Sequence, residues 1–223
     1  MRMMTAAAAL AAAFALSAPA HAEEGQGRWQ IKLLGSAVLP DGKITEVDKD
    51  LVGLPGTLQT KANDNYVPTV AIEYFLTDAI SVETICCVTQ HDVDGTTGLP
   101  GAELVADAKI IPATVTLKYH LDAGPIKPYV GAGPTYFIFV DEQPGAAAKG
   151  LGADGFRLND KLGLALQAGV DVPLGGNGLA LSLDAKKYFL ETSAHWFVGD
   201  DEVIATRQKL DPWVLSAGLG WRF

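Results

Sequence analysis

Between Lys161 and Val172 the chain alternates without a break. Leu162, Leu164, Leu166, Ala168, Val170 and Val172 occupy one face, and Lys161, Gly163, Ala165, Gln167, Gly169 and Asp171 the other. A period of two over this length marks a strand whose faces meet different surroundings. The same period runs from Trp29 to Val38 and predicts further strands over roughly 65–76, 79–90, 109–121, 127–140, 178–190 and 210–223, eight in all.

The connections alternate too. Thr77-Asp78, Asp122–Ile126 and Leu174–Asn177 are tight turns bearing Gly or Asp, whereas 39–64, 91–108, 141–160 and 191–209 are long and rich in Gly, Pro, Asp and Asn. In an up-and-down sheet every second connection lies at the same end, so the long loops share one end and the tight turns the other. Within the third long loop, PGAAAKGLGADG (144–155) reads as flexible.

Several of these strands are long enough to cross a bilayer at a tilt. An even strand count, alternation of apolar with polar or small residues, and short turns opposite long loops are together the signature of a transmembrane barrel. Closure follows from the solvent, because in lipid an open strand edge leaves amides and carbonyls without partners. The predicted fold is therefore all-β, an eight-stranded antiparallel up-and-down transmembrane β-barrel.

Charge says which face is which. Lys32, Glu73, Glu83, Lys118, Gln167, Asp171, Asp184, Lys186 and Arg222 all lie opposite the aliphatic face. A Lys or Arg facing lipid at the midplane costs about 2–4 kcal/mol, so these residues point inward as a polar network of the lumen. The network is either a selectivity zone or a plug of salt bridges. A barrel of this size is just wide enough for its own side chains or one small ligand.

The N-terminus fixes the compartment. One Arg, an apolar run from Ala6 to Leu16 and the sequence Ala20-His21-Ala22 read as a secretory signal, residues 1–22, cleaved before Glu23. Residues 23–223 then form a single barrel domain, placed in the outer membrane of a Gram-negative bacterium with both termini periplasmic. The net charge of −9 argues against a nucleic-acid partner. Cys86 and Cys87 are adjacent, and neighbours on a strand point to opposite faces, so a bridge between them would be strained. They are two small apolar fillers or a redox pair of an oxidising compartment.

No catalytic, metal or cofactor site emerges. His91 and His195 fall in different long loops and His120 near the turn end of a strand, and Ser193 with His195 lacks an orienting third group. The acids of HDVD (91–94) and GDDE (199–202) have the oxygen chemistry for a divalent cation or cation-bridged lipopolysaccharide, but no complete ligand loop; the plain reading is a solvated loop surface.

FLTDAISVE (75–83), PATVTLKYHL (112–121), PYVGAGPTYFIF (128–139), LNDKLGLALQAGVDVPL (158–174) and LDPWVLSAGLGWRF (210–223) resemble the outer membrane protein W (OmpW) family over nearly the whole mature chain. The resemblance implies an outer-membrane channel or binding passage for small hydrophobic molecules, with release sideways into the membrane. Apolar candidates for lining it are Leu34, Val38, Phe75, Tyr129, Phe137 and Phe139. The chain departs from a purely apolar constriction by placing Asp184 and Lys186 on the inner face of its seventh strand.

Trp29, Trp213, Trp221 and Phe223 fit the aromatic girdles at the two lipid interfaces. The terminal Phe223 after an alternating strand resembles the signal read by the outer-membrane assembly machinery. Expected partners are outer-membrane lipid and lipopolysaccharide, that machinery, and small hydrophobic solutes. Two alternatives stand beside the passage: a closed-lumen structural barrel whose loops meet partners or phage, and a soluble lipocalin-like barrel, which would carry its apolar face inside.

Overall fold

The computed structural model describes residues 27–223, so the signal segment 1–22 lies outside the described residues. Eight strands close the wall: β1 (Trp29–Leu39), β4 (Asn65–Phe75), β5 (Ile80–Cys86), β7 (Glu103–His120), β8 (Lys127–Val140), β11 (Lys161–Pro173), β12 (Leu179–Phe189) and β15 (Trp213–Arg222). Each pairs antiparallel with the next, and β15 returns to β1 in an unbroken register from Gln30↔Arg222 to Leu39↔Trp213. Phe223 is tied into the seam, donating its N–H to the Trp29 carbonyl at 2.8 Å and accepting from the Trp29 N–H at 3.1 Å.

The outer face is apolar and bare, with Leu162 72% and Leu33 64% exposed, while the charged positions of the same strands are buried. A lipocalin-like barrel has the opposite polarity. An exposed aliphatic belt on this scale is stable only against lipid. Trp29, Tyr74, Trp221 and Phe223 rim the belt at the tight-turn end, and Tyr66, Tyr136, Phe189 and Trp213 rim it at the other. Trp213 and Trp221, eight positions apart on β15, span about 20 Å of axis for a strand tilted about 40°. By the rule of short periplasmic turns, the tight-turn end faces the periplasm.

The long connections are not loops. They contain β2 (Lys43–Asp50), β3 (Gln59–Ala62), β6 (Thr89–Thr97), β9 (Gln143–Pro144), α1 (Ala146–Gly150), β10 (Gly155–Leu158), β13 (Glu191–Val198) and β14 (Asp201–Lys209). β10, β13, β14 and β2 form a four-stranded sheet, and β3 and β6 extend the barrel sheet outward along β7. Their Gly, Pro and Asp residues punctuate short strands rather than abolish them. On β13, Thr192, Ala194 and Trp196 alternate inward, and Ala194 and Trp196 join Ile44, Leu58, Leu104 and Phe156 in a second apolar core above the membrane. The stretch 144–155, expected to be flexible, contains α1, whose Ala run favours a helix and whose Ala148 is buried in that core.

The expected strand 79–90 is also two strands. Pairing with β7 stops at Ile85↔Thr114 and resumes, in the same register, at Thr89↔Ile110. Pro112 stands in the middle of the unpaired stretch of β7, opposite Cys87, and has no N–H to give to the ladder. The wall therefore carries a local opening in its hydrogen bonding at Cys87/Pro112.

Candidate functional site

The lumen is built by the inward set of each strand, and glycines decide where a large side chain can lie. Gly169 faces Tyr129, whose ring and hydroxyl occupy the space a Cβ would need, and Gly220 does the same for Gln30 and Lys32. The alternation of apolar residues with Gly on β11 and β15 thus folds a charged interior into a narrow barrel. Three zones follow one another along the axis.

At the periplasmic mouth Arg222 lies with its guanidinium carbon 3.7 Å from the centre of the Phe75 ring. It donates to the Gly27 carbonyl at 2.7 Å and to Asp78 at 3.1 Å. Arg222 is therefore apart from the central charges with which its position on β15 had grouped it. Phe75, one of the apolar lining candidates, belongs here as well, stacked 5.0 Å from His120.

The middle zone is a closed ion-pair network. Lys32 reaches Glu73 and Asp171, each at 3.1 Å; Lys118 reaches Glu73 and Glu83, each at 2.8 Å; Lys186 reaches Asp184 at 2.7 Å and Glu83 at 3.1 Å. Gln167 donates to Glu83 and Asp184 and accepts from Thr116, while Ser182 donates to Asp171. Tyr129 donates to Asp184 at 2.8 Å, and the Lys118 ammonium lies 3.8 Å from its ring centre. Tyr129 is thus a member of this polar layer and not of an apolar lining. His120, Ser81 and Glu73 meet within 2.8 Å of one another, so a histidine that sequence reasoning set aside joins the network. Three lysines against four carboxylates, all buried and multiply hydrogen-bonded, are the condition under which charges persist in an interior.

Leu34 is buried on β1 between Lys32 and Ser36, beside a layer of paired hydroxyls, Ser36 with Thr69 and with Ser216 at 2.7 Å and Thr114 with Thr135 at 2.7 Å. Above this layer the lumen turns apolar. Val38, Phe137 and Phe139 pack with Ile110, Tyr188, Leu190, Leu210 and Val214 around a cavity of about 40 Å³. Tyr188 and Val214 continue the inward parity of Lys186 and Ser216, so the pattern that located the charges, carried a few residues further, leads to the chamber as well. Cys87 and Pro112 line the cavity at the opening between β5/β6 and β7, while Cys86 points outward; both thiols are free.

The few polar groups around the chamber are mostly occupied. His91 is buried, and burial pushes its pKa down, so its ring is neutral; Nδ1 faces the Asn63 carbonyl at 2.7 Å and must carry the proton, leaving Nε2 to accept from Thr89 at 2.9 Å. The remaining candidate polar motifs have structural uses. Asp92 accepts the Asp107 N–H, and Glu202 pairs with His195 at 2.7 Å and Lys49 at 3.6 Å; His195 is turned to Glu202 and Asn159.

Comparison with known proteins agrees with this architecture. A family model described as the OmpW family matches residues 25–223. The dibenzothiophene metabolism operon protein PahQ of Pseudomonas aeruginosa is 30% identical, with 94% of each chain covered. The crystal structure of the outer membrane protein OprG from Pseudomonas aeruginosa superposes with a TM-score of 0.74 at 25% identity, covering 89% of this chain and 97% of that one. The outer membrane protein AlkL, solved by solid-state NMR in lipid bilayers, superposes with a TM-score of 0.71 at 26% identity, covering 93% and 96%.

Proposed function

Because the chain belongs to the OmpW family of outer-membrane barrels, we propose that its outer half is a passage for small hydrophobic molecules, which leave sideways into the membrane. The observation that carries this reading is the boundary between zones: an apolar chamber stops on a layer of paired hydroxyls, with a closed network of buried ion pairs beneath it. An apolar solute crossing that network would have to separate ion pairs in a medium where each broken pair costs several kcal/mol. The wall beside the chamber is the easier exit, since at Cys87/Pro112 no ladder hydrogen bonds must be broken. A cavity of about 40 Å³ has room for about three water-sized groups, so the solute is narrow or moves side chains as it passes. The name of the relative PahQ, which refers to dibenzothiophene metabolism, accords with an apolar cargo.

The same proposal assigns lipopolysaccharide to the outer rim, where Lys187 lies over Trp213, and the assembly machinery to β15 with its terminal Phe223. The test is uptake of a hydrophobic solute by cells carrying the wild type, no barrel, or Ile110→Trp, which overfills the chamber. Uptake should fall to the barrel-free level in the variant, with heat-modifiable gel mobility confirming a folded barrel. The small chamber volume favours one second reading, a closed barrel whose extracellular sheet meets partners; uptake equal in all three strains selects it.

A further inference from the structure

Tyr188 is the feature of the chamber that hydrocarbon cargo does not explain. It reaches in from β12, fully buried, its ring edge-on to Phe137 at 5.4 Å, two residues beyond Lys186 where the apolar wall meets the charged layer. Its hydroxyl has no hydrogen-bond partner among the described residues. The Thr114 hydroxyl lies beside it but outside hydrogen-bond geometry to the phenol, and pairs instead with Thr135 at 2.7 Å. The other polar side chains of the chamber satisfy one another: His91 with Thr89 and the Asn63 carbonyl, Gln208 with Thr206. A buried phenol O–H left alone is costly, and a chamber meant for pure hydrocarbon would be better served by Phe at this position.

We propose that the chamber recognises molecules with an apolar body and one hydrogen-bond-accepting oxygen, such as an alcohol, ether or ketone, which accepts a hydrogen bond from the Tyr188 hydroxyl. This inference rests on the passage reading and names its substrate class. The molecule enters polar end foremost, its oxygen at Tyr188 and its hydrocarbon against Val38, Phe139 and Leu210. Because the donor is preformed and unpaid by any protein partner, a ligand oxygen gains the bond without displacing one. An analogue lacking the oxygen leaves the group orphaned, the arrangement by which binding sites reject deoxygenated analogues most strongly.

The test measures binding of 1-hexanol, n-hexane and methyl pentyl ether to the full barrel in lipid nanodiscs by saturation-transfer NMR, after subtracting partition into empty nanodiscs. The wild type should prefer hexanol and the ether over hexane by roughly tenfold, and Tyr188→Phe should erase that preference. The ether, which accepts but cannot donate, keeps the wild-type measurement decisive should the variant fail to fold. A wild type that binds all three alike, or a variant that keeps the preference, overturns the inference and leaves the passage standing. A wild type that binds none of them above the nanodisc background overturns both.

Discussion

Removing the Lys118 ammonium is the sharpest perturbation of the charged layer. Lys118 is fully buried, sits 2.8 Å from both Glu73 and Glu83, and rests on the Tyr129 ring. At an effective dielectric constant of about 20, each contact is worth about 6 kcal/mol of gross Coulomb attraction. Desolvation of the ammonium offsets much of this, but Lys118→Met recovers only that part. It leaves Glu73 with Lys32, and Glu83 with Lys186, facing each other with one cation fewer. Breaking a buried pair by deleting one partner costs about 3–5 kcal/mol. The expected loss is therefore about 3–5 kcal/mol in urea unfolding followed by tryptophan fluorescence in lipid vesicles. The double variant Lys118→Met/Glu83→Gln should regain a large share, because the second change removes the orphaned charge. A single-variant loss below about 1 kcal/mol, or a double variant that loses the sum of both changes, would refute the view of this layer as an interdependent plug.

Other consequences are equally specific. Burial holds His91 below the ordinary imidazole pKa, so above about pH 6.5 both folded and unfolded chains are neutral there, whereas below it the unfolded chain binds the proton first and stability falls with pH. Hydrogen exchange of β3 and β6 should lose protection between about pH 7.5 and 5.5 in the wild type but not in His91→Gln; parallel pH profiles would contradict this. Trp196→Ala, which empties the outer core beside Phe156 and removes the bond to the Leu104 carbonyl, should cost about 3–5 kcal/mol in the extracellular sheet while the membrane barrel keeps its heat-modifiable mobility. Deleting Phe223, which closes the periplasmic end of the seam through two bonds to Trp29, should lower surface yield more than deleting any one residue of the extracellular segments; equal yields would count against it.

The membrane barrel was legible because lipid enforces a period of two on every strand that touches it, from Trp29–Val38 to Trp213–Phe223. Inward charge was legible for the same reason: Lys118 and Asp184 have nowhere else to go. The extracellular sheet was not, because its strands are short, both faces of β14 and β2 are largely polar, and turn residues dominate the composition between them. The break after Cys86 lies in no local signal; its cause is Pro112, on the strand across the ladder. Tyr129 read as an apolar wall because its decisive partner, Asp184, is 55 residues away and two strands over. Sequence parity gives the face a residue occupies, but not which zone of the lumen it reaches.

The most direct test of sideways release is a reversible closure of the wall. In a Cys86→Ser background, Pro112→Cys places a second thiol opposite Cys87, in the register fixed by Ile85↔Thr114 and Thr89↔Ile110, close enough for a disulfide across the opening. Uptake of a hydrophobic solute is then measured in the same cells before and after oxidation and again after reduction. Loss on oxidation with recovery on reduction is the predicted result. Uptake that is indifferent to the bridge would contradict an exit through this wall.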